Sequence, residues 1–159
     1  MGQDIKIKSI QYKGIVKVAD SDGFDTARFV LVQYLDSNTS GQYPYGSIAN
    51  CVDTTWIDAN TGDYPYIMPF RTQTKSAYRV LYDKTYQLDN GGNATCDIDV
   101  LITSKDLAVT EIHYLNNEDT DVNLPALSEG IILGFVCSNS TTTPNPQFEI
   151  VVKLNYIDT

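Results

Sequence analysis

The sequence predicts an all-β protein built as an antiparallel sandwich, and three observations carry that prediction. Eleven Tyr and five Phe among 159 residues weight the chain towards residue types that fill pleated, half-buried surfaces. Apolar residues recur with period two in several separate segments, and no stretch shows the 3.6-residue period of an amphipathic helix of three turns. Clusters of Asp, Asn, Gly and Ser divide those segments at turn-like intervals. The length suits one domain, residues 1–159, large enough to bury a core. An apolar content of 42% excludes a disordered chain.

The first strand is predicted over Ile5 to Val18. Ile5 and Ile7 share one parity and Ile10, Tyr12, Val16 and Val18 the other, so a bulge near Lys8-Ser9 is needed to keep both halves on one core. Asp20-Ser21-Asp22-Gly23 reads as a turn; it lacks the spaced ligands and terminal Glu of a calcium loop. The second strand, Ala27 to Leu35, contains Phe29-Val30-Leu31-Val32, apolar on both parities as in a central strand covered on both sides or one whose outer face meets a neighbour. Residues 36–75 follow as a long loop with three prolines, many aromatics and at most one short helical turn between Ile48 and Trp56. A loop of that length inside a compact domain is generally functional.

From Ala77 to Leu88 alternation returns, with Tyr78, Val80, Tyr82, Tyr86 and Leu88 on one face and Arg79, Asp83, Thr85 and Gln87 on the other. Lys84 breaks the apolar face, which suggests a bulge there or the point where the strand leaves the core. Asn90-Gly91 is a strong turn signal, and Cys96 to Ile102 alternates again, so residues 77–103 read as a hairpin. Shorter strands are predicted at Thr110 to Leu115 and Ile131 to Cys137. Phe148 to Ile157 closes the chain with Phe148, Ile150, Val152, Leu154 and Tyr156 on one face. At least six strands with no helix among them make a sandwich or barrel, and a jelly roll is the version that tolerates the long insertion at about 36–75.

The formal charge of −9 should repel a nucleic-acid backbone. It is unevenly spread: Lys6, Lys8, Lys13 and Lys17 crowd the first strand, whereas residues 89–129 hold nine acids and one base, Lys105. The three cysteines, Cys51, Cys96 and Cys137, form no C-x-x-C pair, and the single His113 completes no zinc spacing, so they read as reduced, partly buried thiols. No apolar run approaches the ~20 residues of a membrane helix, and no cationic-then-apolar leader is present, so a soluble protein without a secretory address is expected.

Catalytic patterns are missing as well. There is no nucleophile elbow, phosphate loop, dinucleotide fingerprint or His-Glu-x-x-His helix, so the chain is not expected to be an enzyme. Asp97 and Asp99 share a strand face but read as solvent-facing acids rather than a glycosidase pair. The sequons at Asn38, Asn93 and Asn139 read as unmodified turn residues. Aromatic, proline-rich loops without a catalytic constellation suit contact between subunits, which places Trp56, Tyr64, Tyr66, Met68 and Phe70 at a predicted subunit interface. No cofactor is expected. Glu118, Asp119 and Asp121 are weak candidates for a divalent cation held between subunits. The competing class is a carbohydrate-binding β-sandwich module, with Trp56 and the tyrosines as the sugar platform.

Four segments resemble one known family. Ile5-Lys6-Ile7-Lys8-Ser9-Ile10-Gln11-Tyr12-Lys13-Gly14 and Arg28-Phe29-Val30-Leu31-Val32-Gln33-Tyr34-Leu35 precede the long loop. Tyr78-Arg79-Val80-Leu81-Tyr82-Asp83-Lys84-Thr85-Tyr86 follows it, and an apolar strand ends near Tyr156-Ile157-Asp158. In order and spacing these resemble the single jelly-roll capsid proteins of small circular single-stranded DNA viruses (circovirus-like) and their satellite-virus relatives. The segment from Arg79 to Tyr86 is the most specific. The resemblance implies an eight-stranded jelly-roll β-sandwich and a virion shell protein that self-assembles, in the simplest T=1 arrangement of sixty copies, around a single-stranded genome. It also implies a basic arm before the shell domain; Met1-Gly2-Gln3-Asp4 carries none, which gives the expectation that the arm was removed. Lys6, Lys8, Lys13 and Lys17 then become the candidate nucleic-acid-facing residues.

Overall fold

The computed structural model describes residues 4–18, 24–35, 78–89, 91–92, 94–113, 130, 132–138 and 146–158, and every regular element among them is a β-strand. In chain order these are β1 (Asp4–Lys17), β2 (Phe24–Tyr34), β3 (Tyr78–Asp89), β4 (Thr95–Thr103), β5 (Glu111–His113), β6 (Ile132–Ser138) and β7 (Gln147–Asp158). They form two antiparallel sheets. In the first, β1 is central, with β7 along one edge and β4 and then β5 along the other; in the second, β2 lies between β3 and β6. All pairings among the described strands are antiparallel, the arrangement that clean alternation favours.

The links β1–β2, β3–β4 and β6–β7 each carry the chain from one sheet to the other. This overturns the hairpin expected over residues 77–103. The turn signal is real, since the Asp89 carboxylate accepts hydrogen bonds from Gly91 N at 2.8 Å and Gly92 N at 2.6 Å. A turn sets where the chain reverses, but β3 finds its partner in β2 and β4 finds its partner in β1.

Between the sheets, Ile7, Ile10 and Val16 of β1 and Ile98, Val100 and Ile102 of β4 meet Ala27, Phe29 and Leu31 of β2 and Tyr86 and Leu88 of β3. Phe29 is the hub: its ring centroid lies 6.2 Å from Tyr12, 5.9 Å from Tyr82 and 6.5 Å from Phe148. Burying such a ring is worth roughly 1.5–3 kcal/mol. Both parities of β2 are buried, Val30 and Val32 included, as expected for its doubly apolar run.

The bulge of β1 falls where the phase slip predicts it. The register with β7 shifts between Ile7 and Ser9, leaving Lys8 as the extra residue, so that Ile7 and Ile10 both reach the core. The edge facing β4 and β5 stays closed there by bonds from Ile7 N to Thr110 O (2.8 Å) and from Ser104 N to Lys8 O (3.0 Å). In β3 the irregularity sits at Leu81 and not at Lys84: Leu31 pairs with Tyr82 but Val32 with Val80. The extra residue lets Leu81 and Tyr82 both pack on the core and turns Val80 and Tyr78 to the opposite face. Lys84 remains in register opposite Phe29, exposed, with its ammonium 4.7 Å from the centre of the Tyr86 ring.

Gln33 ties the second sheet to the segment between β4 and β5. Fully buried, it donates from Nε2 to Val109 O (2.7 Å) and Gly130 O (3.2 Å) and accepts at Oε1 from Ala108 N (2.9 Å) and Val109 N (3.2 Å). Gly130 has φ of +84°, and a Cβ there would press on Ile112 and Val109, so only glycine fits beside this clamp. At Gly14 a Cβ would collide with the backbone carbonyl of Glu149, so the missing side chain is what lets β7 lie against β1.

Candidate interaction surface

The outer face of the first sheet and the edge of β7 that pairs with no described strand are the surfaces on which the candidate residues can be judged. The β1 register places Lys6 directly opposite Glu111 and Lys13 directly opposite Asp99, both on the face away from the core. Their ammonium groups lie 2.9 Å and 3.4 Å from the facing carboxylates. Lys17 reaches diagonally to Glu149 of β7. Each exposed pair contributes about 0.2–1 kcal/mol.

Three of the four lysines singled out from sequence are therefore already matched by acids from three different strands. Lys8, exposed at the bulge, forms no ion pair among the described residues, and neither does Lys153 of β7. A phosphate docking on this face would have to displace the carboxylates of Glu111, Asp99 or Glu149, so the stripe offers much less attraction than its lysine count implies. Asp97 and Asp99 are solvent-facing, as expected.

Two ionisable clusters lie away from this face. The Arg28 guanidinium is gripped by Asp83 through Nε to Oδ1 and Nη2 to Oδ2, both at 2.7 Å, with the Arg28 side chain only 6% exposed. Asp83 thereby has a structural role. Burial and a 3.3 Å contact with the Tyr82 hydroxyl push the Tyr86 hydroxyl well above the ordinary tyrosine range, and Cys96, a half-buried free thiol, reinforces the shift. In the turn after β4, hydrogen bonds from Thr103 Oγ1 (2.7 Å) and Thr103 N (2.8 Å) hold the Asp106 carboxyl below its usual range.

The predicted interface residues Trp56, Tyr64, Tyr66, Met68 and Phe70, and the cation candidates Glu118, Asp119 and Asp121, lie outside the described residues. Among the described residues no group of three or more His, Cys, Asp or Glu side chains could hold a metal ion.

Sequence reasoning missed the character of β7. Only Phe148 and Ile150 pack on the core; Val152, Leu154 and Tyr156, expected to continue that face inward, are exposed. Val151 and Ile157 are exposed on the opposite face, Val151 at 73%. The signal was available, because a half-buried strand should be polar at its odd positions, and this one carries Val151 and Ile157 there. Comparison with models of known protein families and with the sequences of curated proteins finds no match.

Proposed function

We propose that this chain is the shell subunit of a small icosahedral particle, a capsid protein with an eight-stranded jelly-roll sandwich that assembles, in the T=1 arrangement, from sixty copies around a single-stranded genome. One observation carries the reading: the four segments similar to circovirus-like capsid proteins fall on β1, β2, β3 and β7 of an antiparallel, two-sheet, all-β fold, with only Leu35 past a strand end. Two pairings add support. A jelly roll is a long antiparallel pair of strands rolled up, which sets the first strand beside the last and the second beside the penultimate. Here β1 pairs with β7 and β2 with β6. The rolled pattern leaves its first two strands at sheet edges, whereas β1 and β2 are interior, so strand order is the sharpest point on which to test the jelly roll.

Subunit contacts, and not the lysine stripe, would drive assembly in this reading, with Trp56 and the residues from Tyr64 to Phe70 at the contacts. Sedimentation velocity and electron microscopy of the purified chain test it together. Closed particles in the megadalton range are expected. A species that remains a monomer or dimer at high micromolar concentration and never forms particles refutes the shell assignment.

A further inference from the structure

The outer edge of β7, which pairs with no described strand, is chemically unlike the outer edges of β3 and β4. Edge strands are normally blunted by charges, prolines or bulges, because their unpaired backbone groups invite another strand. On β3 the exposed positions Arg79, Asp83, Lys84, Thr85 and Gln87 do this, and on β4 Asp97 and Asp99 do. From Gln147 to Asp158, β7 carries the exposed charges Glu149, Lys153 and Asp158, but it has no proline, no bulge of its own and five exposed large apolar side chains, and its outer edge pairs with no described strand.

We propose that the β7 edge pairs with the β7 edge of a second copy of this chain, antiparallel about a two-fold axis through Val151. The charge pattern selects both partner and register. Glu149 and Lys153 lie two residues either side of Val151 on the outer face, so pairing Val151 with its own copy sets Glu149 opposite Lys153 of the partner subunit, twice. On the other face the same register sets Phe148 opposite the partner's Leu154 and Ile150 opposite the partner's Val152. A shift of two residues either way along each strand, centring the axis on Glu149 or Lys153, puts like charges face to face. Glu149 then lies between Lys17 of its own chain and the partner's Lys153, and Lys153 gains the counter-charge it lacks among the described residues. The result is a continuous sheet through both copies, which covers the exposed edge. The contact does not rest on the shell assignment, since a free dimer and a closed particle could each contain it.

The test is carried out on the whole chain by disulfide trapping and sedimentation. Val151→Cys places two thiols across the axis at facing positions and is expected to give a covalent dimer under mild oxidation. Gln147→Cys, whose copies would be eight residues apart along the paired strands, or roughly 26 Å, is expected to give none beyond the wild-type background from the native cysteines. Lys153→Glu is expected to weaken self-association about tenfold, and the double exchange Glu149→Lys with Lys153→Glu to restore it. Val151 and Lys153 are exposed, so neither change removes core packing. Particles whose Val151→Cys chains stay uncrosslinked overturn the β7 contact and leave the shell assignment standing. A dimer trapped at position 151 that never grows into particles supports the contact and overturns the shell assignment. A monomeric wild-type chain at high micromolar concentration overturns both.

Discussion

Replacing Asp83 by Ala removes two carboxylate acceptors from a guanidinium that stays charged at every accessible pH. Arg28 is held in the interior of β2, and its Nε and Nη2 each donate to Asp83 at 2.7 Å. A hydrogen bond to a charged group contributes about 1.5–3 kcal/mol, and breaking a buried ion pair by deleting one partner costs about 3–5 kcal/mol. The carboxylate end is 32% exposed, so water can take over part of its place, and the expected loss falls at the lower end, about 3 kcal/mol. Urea unfolding with a slope of about 2 kcal/mol per molar would show the midpoint falling by about 1.5 M. Asp83→Asn keeps one acceptor oxygen and should lose about half as much. Lys13→Ala, at the exposed pair with Asp99, should change stability by less than about 0.5 kcal/mol. If Asp83→Ala unfolds at the same urea concentration as Lys13→Ala, Asp83 does not hold a buried charge.

Two further outcomes follow from buried polar groups. Gln33→Glu keeps the shape of the side chain but sets a carboxylate oxygen against the carbonyls of Val109 and Gly130, where Nε2 donated. Only the protonated acid can donate there, so its folded-state pKa is raised. The variant should be most stable below the ordinary Glu value of about 4.3 and lose stability as pH rises through the raised one, unlike wild type, in pH-stepped thermal melts. The raised pKa of Tyr86 acts in the same direction. Its contribution is intact below the unfolded tyrosine value of about 10 and is lost as pH rises towards the higher folded value. Ultraviolet titration should therefore show Tyr86 ionising together with loss of structure, and in Tyr82→Phe this transition should move to lower pH.

Period-two alternation located β1, β3, β4 and β7 to within a few residues, a continuous apolar run located β2, and the phase slip in β1 located its bulge near Lys8. Both are local properties, because a strand's side chains alternate whatever lies beside it. The doubly apolar run of β2 likewise marked it, before any partner was known, as a strand either central or covered by a neighbour on its outer face. Nothing local distinguishes β2 from β4 as the partner of β3, so the Asn90-Gly91 turn suggested a hairpin where the chain in fact crosses between sheets. The bulge at Leu81, the grip of Asp83 on Arg28 and the clamp of Gln33 join groups 50 or more residues apart and follow only once the registers are set.

The same division holds for the candidate surface. The sequence alone established a lysine-bearing first strand, a closing apolar strand and an all-β fold, because these depend on composition and alternation. Tertiary structure decided that Lys6, Lys13 and Lys17 face acids from β5, β4 and β7, which turns a basic stripe into a nearly balanced one. It also decided that β7 is outermost among the described strands of its sheet, so that side chains patterned for a core face solvent from Val152 onwards. Burial is a property of the neighbours a strand acquires, and those are chosen by pairing across the whole chain rather than by the strand itself.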